Sequence, residues 1–136
     1  MATENQNFFK HFRDTFSIIF TVTDVTETLD NYIAQWNCST SPSSSILVSK
    51  NTDPEFTGGG TDGDITIVNQ TISVQLSQDD FIDPDNTGVT NKLYTGSFYH
   101  ELVIGSSGQE DGSDSVVIAS GIFTVKEDLA SAVRPN

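Results

Sequence analysis

The sequence predicts an all-β fold, a single immunoglobulin-like antiparallel β-sandwich of about seven strands. Three observations lead there. Apolar residues recur at every second position in several short runs, which is the side-chain period of a strand half-buried on a sheet. Clusters of Gly, Ser, Asn and Asp interrupt those runs at short intervals. Repeated helical periodicity is absent. Short strands with regular turn signals favour a two-layer sandwich over a barrel. The 136 residues suit one domain with a sizeable core. We divide them into a flexible N-terminal arm (1–11), the sandwich (12–128) and a C-terminal tail (129–136).

The arm is polar apart from the adjacent aromatics Phe8 and Phe9, which are expected to dock either on this domain or on a neighbour. Residues 12–24, FRDTFSIIFTVTD, form the first clear strand. Phe16, Ile18, Phe20 and Val22 share one face, and Ser17, Ile19, Thr21 and Thr23 the other. Arg13 and Asp14 precede it as a surface or turn feature. Residues 25–31 are a polar link plugged by Leu29. The second strand, 32–39, holds the only tryptophan, Trp36, as a core anchor. In the same alternation, Tyr32, Ala34 and Cys38 share its face.

The Ser-rich stretch 39–45 reads as a loop, followed by a short strand over 46–50. Residues 51–64 form another loop with three consecutive glycines. It lacks the Gly-Lys-Ser/Thr ending and following helix of a phosphate-cradling loop. Residues 65–68 and 71–76 form a hairpin across Asn69-Gln70. The sequence SQDDF (77–81) suggests one helical turn with Ser77 at its cap and acidic residues near its start. Residues 83–91 are loop. Residues 96–128 then form a long hairpin. Phe98, His100, Leu102 and Ile104 point one way, and Tyr99, Glu101 and Val103 the other. The returning strand, 115–125, is β-branched and apolar. Gly121 within it predicts a bulge or another backbone passing close by. A hairpin this long needs a second layer to bury its apolar face.

Nineteen acidic against six basic residues give a formal net charge of −13. That disfavours nucleic acid and anionic membrane surfaces, both of which require basic residues. It leaves basic partners or divalent cations open. Cys38 stands alone, so neither an intrachain disulfide nor a cysteine zinc site is expected. No apolar run approaches the roughly 20 residues of a membrane span, and the N-terminal residues do not predict a signal peptide. Synthesis in a cytoplasm is the expectation.

Catalysis is not expected. His11 lies in the arm and His100 in a strand, and neither has an organised nucleophile and orienting partner. Three acidic loops raise calcium as a candidate ligand, with Asp62, Asp64, Asp111 and Asp114 as weak metal candidates. None has the spacing of an EF-hand loop, so ordinary solvated turns are the simpler reading and no cofactor is expected.

The order of segments resembles a known family. RDTFSIIFTVTD (13–24) is followed by DNYIAQW (30–36), then GDITI (63–67) and ISVQLSQDD (72–80). YTGSFYHELVI (94–104) precedes the closing SGIFTVKED (120–128). This set is similar to the immunoglobulin-like β-sandwich domains of tailed-phage baseplate and tail proteins. The nearest type is the N-terminal domain of the upper baseplate protein. The opening strand of that family often reads Arg-Gly-Asp-Thr, and here the Gly is absent between Arg13 and Asp14. The resemblance implies a non-enzymatic virion structural protein, made in the host cytoplasm. It would join tail, baseplate, fibre or receptor-binding subunits through protein–protein contacts, as a homo-oligomer or symmetric ring. Interface candidates are Phe8, Phe9, Arg13, Val133 and Arg134. The alternatives are a capsid decoration protein of the head, or a calcium- or carbohydrate-binding module.

Overall fold

Ten strands run through the residues described by the computed structural model, which are 4–5, 8–11, 16–22, 29–52, 61–77, 80–81, 93, 96–106 and 113–126. They are β1 (Glu4–Asn5), β2 (Phe8–His11), β3 (Phe16–Thr21), β4 (Tyr32–Ser39), β5 (Ile46–Asn51), β6 (Thr61–Asp62), β7 (Ile65–Val68), β8 (Thr71–Leu76), β9 (Gly96–Ser106) and β10 (Val116–Lys126). The large sheet runs β1-β10-β9-β4-β5-β6, and β2 also pairs with β10; the small sheet runs β3-β8-β7. Four long antiparallel strands facing three is the predicted immunoglobulin-like sandwich.

Among the ten strands, parallel pairing is confined to the margins of the large sheet, and Phe81 and Leu93 form an isolated parallel bridge outside them. β1 and β2 both run parallel to β10, and β6 runs parallel to β5. The described parts of the 1–11 arm are therefore strands on this domain. The 129–136 tail lies outside the described residues.

Alternation decides what is buried. Ile18 and Phe20 of β3 enter the core, while Ser17, Ile19 and Thr21 face outward. From β4 the core receives Ala34, Trp36 and Cys38. β8 supplies Ile72, Val74 and Leu76, and β9 supplies Phe98, Leu102 and Ile104. Leu29 plugs the layer from the link before β4. Its N–H donates to the Asn69 carbonyl (2.8 Å), and the Asn69 N–H donates to Asp30 Oδ1 (3.2 Å), so the link is tied to the β7–β8 turn. That turn places Asn69 at φ 56°, a left-handed conformation that Asn tolerates better than most residues.

Of the helical turn expected over 77–81, residues 78–79 lie outside the described residues, and Ser77 and Asp80 on either side are hydrogen-bonded to each other. The Asp80 N–H donates to the Ser77 carbonyl (3.1 Å), and the Ser77 N–H donates to Asp80 Oδ2 (2.9 Å). The second bond is the returning half of a capping box, made by the acidic residue three places on.

The bulge expected at Gly121 lies elsewhere. Gly121 pairs in register with His100, and the β9–β10 register shifts between Val117 and Ala119. Ile118 and Ala119 are consequently buried in succession, as two residues of a bulged strand can be. Gly121 instead sits where the parallel neighbour of β10 changes, between the Asn5–Ser120 and Phe8–Phe123 pairs.

Candidate functional site

Polar side chains gather at three places. The first is an ion cluster at one margin of the sandwich. In β5, Val48 and Lys50 share the face that pairs with Cys38 and Trp36, so alternation turns Lys50 inward. Its side chain is only 4 % exposed, and Nζ meets Asp64 Oδ2 at 2.8 Å and Asp80 Oδ1 at 2.9 Å. Gly63, at φ 85°, makes the turn that brings Asp64 to this position, and its N–H donates to the Asn51 carbonyl (3.0 Å). Burial alone would lower the pKa of Lys50. The hydrogen bonds to Asp64 and Asp80, reinforced by their charge, outweigh burial and raise it above 10.5. The ammonium thereby links β5, the approach to β7 and the turn after β8.

A second gathering lies at the centre of the core. Trp36 Nε1–H donates to His100 Nδ1 at 3.2 Å, and both residues are fully buried. As an acceptor, Nδ1 carries no proton, so the imidazole holds its proton on Nε2. His100 is more deeply buried than its strand position suggested. Phe20 from the small sheet stacks obliquely on it at 6.2 Å between ring centroids, and the Trp36 ring lies 6.0 Å away. In antibody domains a disulfide between the two sheets sits against the core tryptophan. Here a Phe–His contact joins the sheets at that place.

The third is the outer face of the small sheet. Ser17, Gly63, Asp64, Thr66, Ser73 and Gln75 line a shallow polar groove of about 240 Å³. It is open, and its one charged lining residue, Asp64, is paired with Lys50. The outer face of the large sheet is different in character. Tyr99 lies opposite the exposed Ile122, and Glu101 lies between Asn37 and Ser120. Gln35 Nε2 donates to Ser49 Oγ (3.0 Å), which donates to Asn37 Oδ1 (2.7 Å). This half-exposed face mixes an aromatic, an aliphatic, amides, hydroxyls and the Glu101 carboxylate.

The predicted site residues are scattered. Phe8 and Phe9 belong to β2, registered against Phe123 and Thr124. Asp62 belongs to β6. Asp64 is occupied by Lys50. Asp114 accepts from the Ser106 N–H through both oxygens (3.2 and 3.4 Å), and the Ser106 hydroxyl and then that N–H hold its carboxyl below the usual range. Arg13, Asp111, Val133 and Arg134 lie outside the described residues. Among the described residues no group of three or more His, Cys, Asp or Glu side chains is placed to hold a metal. No helix of the described residues is long and apolar enough to cross a membrane. The Lys50 cluster was missed in the sequence, although the spacing of Val48 and Lys50 puts that lysine on the core face.

Cys38 is buried and free, and burial pushes its thiol pKa up to about 12. The thiolate is the reactive form, so a thiol reagent at neutral pH should label Cys38 only as the sandwich opens. Labelling should follow global unfolding across a urea titration. Fast stoichiometric labelling of the native protein would contradict the burial. In comparisons with known proteins, the chain matches no family model and no curated protein.

Proposed function

We propose that this chain is a non-enzymatic structural protein of a tailed-phage virion, an adaptor joining tail, baseplate or fibre subunits. One observation carries the reading: the segments that resemble the tail and baseplate domains fall, in the same order, on strands β3, β4, β7, β8, β9 and β10 of one sandwich. The polar groups support it, because they serve the frame. Lys50 ties three elements together, His100 accepts the Trp36 hydrogen bond, and Asp114 holds the start of the β9–β10 reversal. The half-exposed outer face of the large sheet supplies a surface for neighbours. The net charge of −13 favours basic partner surfaces.

Copy number and position in purified particles test this. Quantitative mass spectrometry, with gold-labelled antibody microscopy, should find the chain at the tail tip or neck in a small symmetric number of copies. Label spread over the head in high copy would replace the adaptor with capsid decoration. Absence from particles would remove both. A calcium- or carbohydrate-binding module would then be tested by thermal shift.

A further inference from the structure

Among the described residues, the β3 margin of the small sheet is an open strand edge. β3 pairs with β8 through Phe16–Leu76, Ser17–Gln75, Ile18–Val74, Ile19–Ser73, Phe20–Ile72 and Thr21–Thr71. It has no partner on its other side among the described strands. The direction of each peptide group follows from two bonds beyond the ladder. The Val22 N–H donates to the Gln70 carbonyl (2.9 Å), and the Gln75 N–H donates to the Asp64 carbonyl (2.9 Å). Antiparallel pairs alternate between bonded and non-bonded types. Val22–Gln70 is thus a bonded pair, as are Phe20–Ile72, Ile18–Val74 and Phe16–Leu76. The odd residues of β8 are turned toward β7, which agrees. Ser17, Ile19 and Thr21 must therefore direct their N–H and C=O groups away from β8, into the open edge.

Among the described residues, the usual protections of an edge are missing from β3. β3 reads FSIIFT, with no Lys, Pro, Gly or bulge. The side chains of Ser17, Ile19 and Thr21 are exposed as well, Ile19 by 56 %. The β10 edge of the large sheet is covered by β1 and β2, and part of β5 by β6. β7 spans only Ile65–Val68.

We infer that the β3 edge is a two-fold docking site for the β3 edge of a second copy, the strands pairing antiparallel with Ile19 opposite Ile19. In that register Ser17 of each copy faces Thr21 of the other. These are the residues with outward peptide groups, so every one of those groups on both copies is satisfied at once. The pleat stays in phase, with Ile18 opposite Phe20 on the core side. Ile19 meets its own copy on the outer side, and Ser–Thr hydroxyl pairs flank it. The two small sheets become one continuous sheet, an isologous contact. The strand itself is uncharged, but each copy carries −13, so long-range repulsion opposes the encounter and salt relieves it.

The inference deepens the reading of the chain as an assembly protein, and its test needs only purified chain. A monomer would overturn the two-fold contact while copy number in particles still decided the adaptor role. The probes are Ile19→Cys and Ser17→Cys, oxidised in the full-length protein, with buried Cys38 as the shared background thiol. A bonded antiparallel pair places Cα atoms about 5.5 Å apart, within disulfide reach. Two copies of residue 17 would lie about 13 Å apart along the strand, outside it. Ile19→Cys should cross-link to a dimer at least about tenfold faster than Ser17→Cys. Sedimentation equilibrium should show dimer association tightening about tenfold between about 20 mM and about 500 mM salt. Ile19→Lys, at an exposed site, should keep the native melting transition and lose the dimer. Equal cross-linking of the two cysteine variants, a monomer at both salt concentrations, or a dimer indifferent to Ile19→Lys would each overturn the contact.

Discussion

Trp36→Ala should cost about 3–5 kcal/mol of folding free energy, the range for deleting a fully buried aromatic. A second loss arises because His100 Nδ1 would keep its buried lone pair and lose its donor. Against a total stability of about 5–15 kcal/mol, the variant should be largely unfolded near physiological temperature. A double-mutant cycle separates packing from the hydrogen bond. Trp36→Phe keeps much of the ring volume and strands the imidazole nitrogen; His100→Leu removes the acceptor and strands the indole N–H. Each should be markedly destabilising. The combined variant should be less destabilised than the sum, by about 1 kcal/mol or more, because both orphaned groups are then gone. Urea denaturation of the four proteins measures this. Simple additivity would mean that the Trp36–His100 bond holds nothing together.

The ion cluster should show the second large effect. Asn at both Asp64 and Asp80 would leave Lys50 buried without an opposite charge. Breaking a buried pair in this way typically costs about 3–5 kcal/mol. Lys50→Met should cost less, since the aliphatic stem is kept and the buried charge is gone. The pH dependence has a definite sign. The pKa of Lys50 is raised in the folded state above 10.5. Its contribution is therefore fully present below the unfolded value and is lost as pH rises through the folded one. Wild type should lose stability above about pH 10.5 more steeply than Lys50→Met, the other alkaline groups being common to both proteins. Parallel alkaline melting curves would show that the carboxylates do not hold the ammonium.

Much of this architecture was legible as local phase. β4, β7 and β8 occupy the ranges that alternation and the Asn69-Gln70 turn indicated, and the inward faces of β3 and β9 are those the period predicts. Phase fails where apolar residues run together. In VVIASGIF both faces look alike, so the shift between Val117 and Ala119 left no mark and Gly121 drew the bulge instead. Pairing partners were less legible still. Nothing in the composition of residues 4–11 announces that their neighbour is β10. Lys50 was hidden by its chemistry, since a lysine at a strand end reads as solvated until its parity with Val48 is counted. The polar groove and the β3 edge depend on which strands fail to meet, a property of the whole fold.

The position of β10 also constrains how the chain can acquire its fold. Glu4 pairs with Ala119 and Phe8 with Phe123, contacts spanning most of the polypeptide. At synthesis rates of about 5–20 residues per second, β1 and β2 wait several seconds before their partner emerges. The β3–β8–β7 sheet can form once the chain has emerged through Leu76, whereas the large sheet cannot close until its last strand arrives. Long-range closure of this kind slows folding and prolongs the time that strand edges are open to neighbouring nascent chains. A chain truncated before β10 should therefore lose both margins of order at once: the β9 edge would be uncovered, and the residues of β1 and β2 would have no strand to join.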